Sequence, residues 1–450
     1  MRDTPRITPA PYGSTMRSAL LALLILWPAA QPAAAETLWD LWRTAATNNP
    51  GITATRLETQ AAGSEALAAE AKLAPSASIK TGYTFRSSEP SFVGSQPQLG
   101  FSSFRLPYAQ QQAANLAARV NVPLWTAGRL ESSAAAAHSR QHASREAACW
   151  AEMQLRMAVA DAFVRVLQAD AELIAAGRLL KSSEAIASDT RQRSIQQLAT
   201  DQRVLESRVL VLESQQRLVE ARNSQQDSVA ELNQLLGRPL DYRVELAEPY
   251  LAPLSQTRAE LAELSQTTRP DILELVRMVR MHEHDAAGWK AAKKPQVTAE
   301  VGYDFEENRF QSPQGIASAG VVVDLNVFDA GQKREQSEAA RCRASAMTAS
   351  LRERQNEAAL EVLQAWNARS QALSAEQLAA ESLTLALEYH RSMQKRYEQG
   401  LVVESDLETA TARLVEARTQ MTYARTNRIL SQIQLRFVAG LLGPAMHVVE

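Results

Sequence analysis

Two hydrophobic periodicities alternate along the chain. In Ala77–Phe85 the odd positions Ala77, Ile79, Thr81, Tyr83 and Phe85 oppose Ser78, Lys80, Gly82 and Thr84. Val297, Ala299, Val301, Tyr303 and Phe305 oppose Thr298, Glu300, Gly302 and Asp304 in the same way. Two further segments repeat the pattern: Leu116, Ala118, Val120, Val122 and Leu124 against Asn115, Arg119 and Asn121, and Val321, Val323, Leu325 and Val327 against Asp324 and Asn326. A period of two predicts four strands, each with one apolar face. About ten residues is the length at which a tilted strand crosses a bilayer.

The second periodicity is helical. Helices are expected over 51–74 and 271–294, ended by Pro75 and Pro295. From 129 to 196 the chain has no Pro and a single Gly, Gly177; from 332 to 399 it has neither. At about 1.5 Å per residue each stretch makes a rod of roughly 100 Å. Return helices are expected over 201–236 and 404–439, and each, added to the shorter helix, nearly matches a long rod. In the second of them Leu407, Leu414 and Met421 alternate with Ala410, Ala417 and Ala424; in the first, Val204, Ser207, Val211, Ser214, Leu218 and Ala221 stand at corresponding positions. Large and small residues alternating along one seam suit close antiparallel coiled-coil packing.

These elements occur twice in the same order. Pro50, Pro75, Gly82, Tyr83 and Phe85 recur as Pro270, Pro295, Gly302, Tyr303 and Phe305; Val120, Ala127, Gly128 and Gly237 recur at a shorter offset as Val323, Ala330, Gly331 and Gly440. The difference falls between Phe85 and Gly128, where the first repeat carries a longer loop. The organisation read from this is a repeat over 36–237, a connection over 238–268 and a second repeat over 269–450. Residues 1–35 stand apart: Arg2, Arg6 and Arg17, the apolar run Ala19–Ala30 and then Ala33-Ala34-Ala35 before Glu36 describe a cleavable secretory signal. No Cys follows that site, so lipid anchoring of a new N-terminus there is not expected.

Composition narrows the class. The 45% apolar content includes only 6% aromatic residues, with alanine at roughly a sixth, as in long helices packed on small side chains. A formal charge of -2 excludes a strongly basic nucleic-acid binder. Cys149 and Cys342 exclude a disulfide scaffold and are expected as small packing residues. No phosphate loop, nucleophile elbow or paired zinc-binding His motif occurs, so catalytic, cofactor and metal sites are not expected. His282 and His284 are two apart on an expected helix and point in different directions, as residues of a solvated helix surface.

Four strands cannot close a barrel. Three chains would supply twelve, and Tyr83, Phe85, Trp125, Tyr303, Phe305 and Phe328, at or near segment ends, would then form aromatic interface girdles. A periplasmic coiled-coil structural or adaptor protein without a barrel shares the signal and the helices, but not a use for four amphipathic strands.

With these features in place, the chain resembles the TolC family of outer-membrane channels over nearly its whole length after the signal. The carriers are the Asn48-Asn49-Pro50 helix start, the Pro75 boundary, the junctions Val122-Pro123-Leu124-Trp125-Thr126-Ala127-Gly128-Arg129 and Leu325-Asn326-Val327-Phe328-Asp329-Ala330-Gly331-Gln332, and the stretch Tyr397–Leu407. The resemblance implies an α+β membrane protein: a homotrimer with a 12-stranded barrel in the outer membrane, a helical α-barrel through the periplasm and an equatorial belt including 238–268. It implies a passive exit duct for proteins or small molecules, with a periplasmic adaptor and an inner-membrane ABC or RND transporter as partners. It also implies that the turns at 197–203 and 397–406 form the periplasmic aperture and receive the adaptor. There Asp406 would join a constricting acidic ring and Tyr397 a gate contact, with Gly400, Glu404, Asp201 and Arg203 beside them. Thr409 stands where a second acidic position often occurs, Gln197 where Gly is usual and Arg203 where an acidic gate residue can occur.

Overall fold

The computed structural model describes residues 35–96, 101–247, 251–252 and 254–443. The signal expected over 1–35 therefore lies, but for Ala35, outside the described residues. In chain order the elements are α1 (Leu38–Asn48), α2 (Pro50–Ala71), β1 (Ser76–Phe85), β2 (Ser91–Gln96), β3 (Phe101–Pro107), β4 (Gln112–Trp125), α3 (Arg129–Ile195) and α4 (Asp201–Leu236). There follow α5 (Arg258–Thr267), α6 (Pro270–Ala291), β5 (Gln296–Glu306), β6 (Gly315–Asp324), α7 (Gln332–Glu398) and α8 (Glu404–Val438). Each long helix has 67 residues, about 100 Å by the helical rise.

Local chemistry sets these boundaries. Asn49 caps α2 by accepting from Gly51 N at 2.8 Å, and Pro50 sits at the first helical position, where its missing N–H costs nothing. Ahead of α3 and α7, Ala127-Gly128 and Ala330-Gly331 turn through consecutive positive φ values of 52° and 90°, and 50° and 84°. Glycine accommodates that turn without steric cost; the preceding alanines do not. Helices α1 and α5 begin with capping boxes, Thr37 with Asp40 and Thr257 with Glu260.

The helices form four lanes. Asn49 Nδ2 donates to Leu235 O at 2.9 Å, which seats α2 end to end on α4. Arg269 Nη1 donates to Val438 O at 3.2 Å and seats α6 on α8 in the same way. The long helix α3 packs against α2 and α4 on one side and α6 and α8 on the other; α7 packs against α6 and α8. The lane order is thus α2/α4, α3, α6/α8, α7. The main sheet repeats it as β1-β4-β5-β6, all antiparallel, each strand following or preceding the helix of its lane. One four-lane ribbon runs through sheet and helices.

The large apolar core sits at mid-height. Trp42, Leu41, Met153, Phe163, Leu232, Leu236 and Ile433 pack where α1, α3, α4 and α8 meet, and Leu261, Val362 and Leu435 where α5 meets α7 and α8. Away from it the seams are thin: Ala410, Leu414, Ala417, Ser207 and Ser214 are buried, as the heptad spacing indicates, and Ser183 Oγ lies 2.6 Å from Ser214 Oγ. Beside the core, Arg269 is fully buried. It donates to Asp271 at 3.0 and 2.8 Å, pairs with Glu361 and stacks over Trp150. Arg354 binds Asp271 at 2.7 Å and Glu361 at 2.9 Å, closing the network.

Burial alone would raise the Asp271 carboxyl, but hydrogen bonds from Arg269 and Arg354 hold it below the ordinary carboxylate value. A depressed folded value contributes stability above about pH 4, lost as pH falls through the folded value. Thermal melting should therefore show wild type well above Asp271→Asn at pH 7, with the gap shrinking towards pH 3. A gap unchanged by acid would assign no pH-linked role to this carboxylate.

The structure differs from the sequence pattern in several places. The longer loop of the first repeat holds an antiparallel hairpin, β2–β3. Strand β6 starts at Gly315, earlier than the alternation over Val321–Val327, and ends at Asp324 because β5 begins at Gln296, opposite it. Leu325, Val327 and Phe328 lie beyond that pairing. Cys149 and Cys342 are exposed, not packed in the seams as small core residues. His282 is mostly buried, with Nδ1 3.7 Å from Asp285, rather than on a solvated surface.

Candidate functional site

The sheet divides into two chemically distinct faces. Register places Ile79 beside Ala118 and Tyr303, and Ala77 beside Val120, Val301 and Ala319. Ile79, Val120, Val301, Tyr303, Val321 and Val323 are all exposed large apolar residues on this face. Among the described residues no helix lies over it. The other face carries Lys80, Arg119, Glu300 and Asp304, with Arg119 3.3 Å from Asp304. One face is built for a hydrocarbon environment and the other for water.

Five aromatic residues mark the ends of the apolar face, and Phe328 lies just beyond β6. Tyr83 and Phe85 are each 66% exposed at the loop end of β1, and Tyr83 Oη donates to Gln112 at 2.8 Å. Tyr303 is exposed and Phe305 half-buried at the same end of β5. Trp125 and Phe328 are exposed at the helix end. Strict alternation would put Trp125 on the polar face with Pro123. A bulge between Pro123 and Trp125 instead pairs Trp125 with Val297, on the apolar face. From Val297 to Phe305 the strand runs about 27 Å before tilt, comparable to the roughly 25 Å apolar band of outer-membrane barrels. Gly315 opposite Phe305 has no side chain where a Cβ would lie 2.1 Å from the Tyr303 hydroxyl.

At the far end of the rods, α3 turns into α4 and α7 into α8. The two turns share a geometry: Gln197 has φ 58° and Gly400 φ 71°. Gln197 adopts there the left-handed conformation that glycine adopts freely. Thr200 caps α4, while Val403 opens α8 with no side-chain cap. Asp201 and Arg203 lie in the first turn of α4, and Glu404 and Asp406 in the first turn of α8, all exposed. Tyr397 is 40% exposed at the end of α7. Among the described residues no ion pair engages Asp201, Arg203, Glu404 or Asp406, and the structure does not bring the two pairs into contact with each other. Acidic groups in a first turn are favoured by the helix dipole whatever else they do.

What joins the two hairpins near this end is a polar seam between α3 and α8, which the sequence pattern did not reveal. Ser405 Oγ donates to Asp189 at 3.1 Å, and Asp189 also pairs with Arg193 at 3.2 Å. Lys181 lies 3.7 Å from Glu408. Higher up, Tyr423 Oη donates to Glu172, and Gln168 Nε2 donates to Thr426 and Asn427, each at 3.0 Å. Burial, then the Glu172 carboxylate, push the Tyr423 phenol above its ordinary value. This seam rests on hydrogen bonds between neighbours far apart in sequence.

The described residues hold no group of three or more His, Cys, Asp or Glu arranged for a metal. No described helix is long and apolar enough to cross a membrane.

A sheet with an uncovered apolar face, continued lane by lane into 100 Å rods, defines an outer-membrane channel protein with a periplasmic extension. The chain belongs to the outer membrane efflux protein family, whose model matches residues 41–238 and 261–441. Solved structures share the fold. A membrane protein from Pseudomonas aeruginosa is 22% identical with a TM-score of 0.73, covering 90% of this chain and 93% of its own. The outer membrane protein VceC of Vibrio cholerae is 16% identical with a TM-score of 0.72, covering 90% and 96%. The MtrE outer membrane channel of Neisseria gonorrhoeae, solved in its open state, is 18% identical with a TM-score of 0.71, covering 91% of each chain. No curated protein matches the chain in sequence.

Proposed function

We propose that three copies of this chain close into a passive exit duct, a 12-stranded barrel in the outer membrane continued by a helical tube across the periplasm. The observation that carries the reading is the placement of the free edges. One side of the ribbon is β1, α2 and α4 throughout; the other is β6 and α7 throughout. The edges bear exposed apolar residues at heptad spacing, Leu205, Leu212 and Val219 on α4 and Leu378 and Leu385 on α7. Joining one edge to the opposite edge of the next copy is a head-to-tail contact, which closes as a ring. It pairs both open strand edges and covers both apolar helix edges. Tyr83, Phe85, Trp125, Tyr303, Phe305 and Phe328 become its interfacial girdles, and the junctions at Pro123, Gly128 and Gly331 join barrel to tube.

The chain has no nucleotide-binding motif, so energy comes from an inner-membrane ABC or RND transporter, coupled through a periplasmic adaptor at the tips. The family description names efflux, and we put small-molecule efflux ahead of type I protein secretion as the task. The exposed acids of the α8 tip, Glu404 and Asp406, with Tyr397 and Gly400 beside them and Asp201 and Arg203 on the neighbouring turn, form the aperture. Three Asp406 carboxylates around one axis attract cations and repel anions. Asp406→Ser should cut cation over anion permeability several-fold, on the order of 1 kcal/mol at the ring. Single-channel reversal potentials in planar bilayers read this directly, and unchanged selectivity removes Asp406 from the filter.

A further inference from the structure

Just after the point where the leader is expected to end, Glu36 is held through both backbone and side chain by one short segment. Its backbone N–H donates to Glu245 O at 2.7 Å, and its carbonyl accepts from Ala247 N at 3.0 Å, a parallel bridge to Leu246. Its carboxylate takes a two-pronged grip from Arg238, at 2.8 and 2.7 Å. Arg238 in turn stacks over Tyr242, 4.9 Å from the ring centroid. The segment that supplies all of these groups is itself shaped from α4: Asn233, fully buried, donates Nδ2 to Leu240 O at 3.2 Å and Tyr242 O at 2.8 Å.

The repeat gives this residue a second significance. At the offset of α2 and α6, Thr37 corresponds to Thr257 and Asp40 to Glu260, the two capping boxes. In the second repeat the connection runs into Thr257; in the first only Glu36 separates Thr37 from Ala35. Position 36 thus lies immediately before the repeated capping box and immediately after the small-residue cleavage pattern.

We infer that the segment 238–247 is a socket for the chain's own processed N-terminus, with Glu36 as the first residue of the mature protein and Arg238 as its clamp. The inference rests on the reading of residues 1–35 as a cleaved signal. Cleavage hydrolyses the Ala35–Glu36 peptide bond, the oxygen of one water completing the Ala35 carboxylate and both its protons going to the Glu36 nitrogen, which becomes an ammonium. The new α-ammonium then donates to Glu245 O with a charge the peptide N–H lacked, and charge-assisted hydrogen bonds are the stronger kind. A protease needs its target extended and free, whereas docked Glu36 already has its N–H and carbonyl paired. Docking therefore follows cleavage, and a processed N-terminus completes the belt segment between α4 and α5.

The test uses the full-length protein, expressed with its leader and extracted from membranes. Intact mass and N-terminal sequencing locate the first residue, and limited proteolysis measures cutting within 238–247. A start at Glu36 is expected, with cutting raised about tenfold by Glu36→Ala and by Arg238→Ala, in line with loss of one partly buried charged pair. The exchange Glu36→Arg with Arg238→Glu is expected to restore much of the protection, which separates the pair from general misfolding. A first residue other than Glu36 overturns the N-terminal assignment through the signal reading, whatever the digestion shows. A start at Glu36 with unaltered digestion of both single variants overturns the socket while leaving the signal reading intact.

Discussion

Val301→Arg should abolish assembly in the outer membrane, while Glu300→Arg, one residue earlier, should leave it intact. Val301 lies in the middle of β5, paired with Val120 on one side and Ala319 on the other, and is 54% exposed on the uncovered apolar face. Arginine near the midplane of a membrane barrel costs about 2–4 kcal/mol. Three copies in one ring would each bear that cost. Glu300 pairs with Asn121 and Gly320 on the polar face, which lines the lumen of the proposed duct. A charge reversed there alters conduction, not insertion. Membrane fractionation with a gel assay for the detergent-extracted oligomer reads both variants. Equal behaviour of the two would mean that the faces are assigned wrongly.

Arg269→Ala should be the most damaging change outside the sheet. The guanidinium has no exposed surface, binds Asp271 and Glu361, donates to Val438 O and stacks on Trp150. Truncation removes the tie that seats α6 on α8 and leaves two carboxylates sharing Arg354. Breaking a buried ion pair from one side costs about 3–5 kcal/mol. Gly440 lies against the same side chain, where a Cβ would fall 3.1 Å from Arg269 Cγ. Thermal melting of the detergent-solubilised protein should show a large drop in midpoint. Asn49→Ala, the corresponding tie in the first repeat, should cost less, about 1 kcal/mol, because a neutral hydrogen bond and a helix cap are lost.

Much of this architecture is legible in the residues. Long stretches with no Pro and at most one Gly become α3 and α7, and period-two alternation becomes β1 and β5 nearly to the residue and all of β4 but its first three residues and Trp125. Strand β6 is only half legible, because Gly315, Ala317, Ser318 and Gly320 have weak strand propensity and are held by pairing with β5. Helices α1 and α5 are marked only by their capping boxes and by Leu41 and Leu261, buried at matching repeat positions. Extending the repeat comparison upstream of Pro50 reveals them. The bulge that turns Trp125 to the apolar face leaves no trace in alternation, which places Leu124 there instead. The polar seam between α3 and α8 is equally hidden, since Asp189 and Ser405 meet only through tertiary packing. For the tips, the sequence identifies which residues occupy the turns, and a single chain leaves their exposed acids facing solvent.

Edge-to-edge closure of three ribbons brings α4 of one copy against α7 of the next, a contact that cross-linking can read. Paired cysteines at Leu212 on α4 and Leu385 on α7, in a background with Cys149 and Cys342 replaced by Ser, face each other only if the edges of neighbouring copies meet. Bifunctional maleimides of graded length, applied to the outer membrane of intact cells, should convert the chain into a covalent trimer with no higher species, and either cysteine alone should give none. A ladder without a limit at three, or products confined to single chains, would contradict the closed duct.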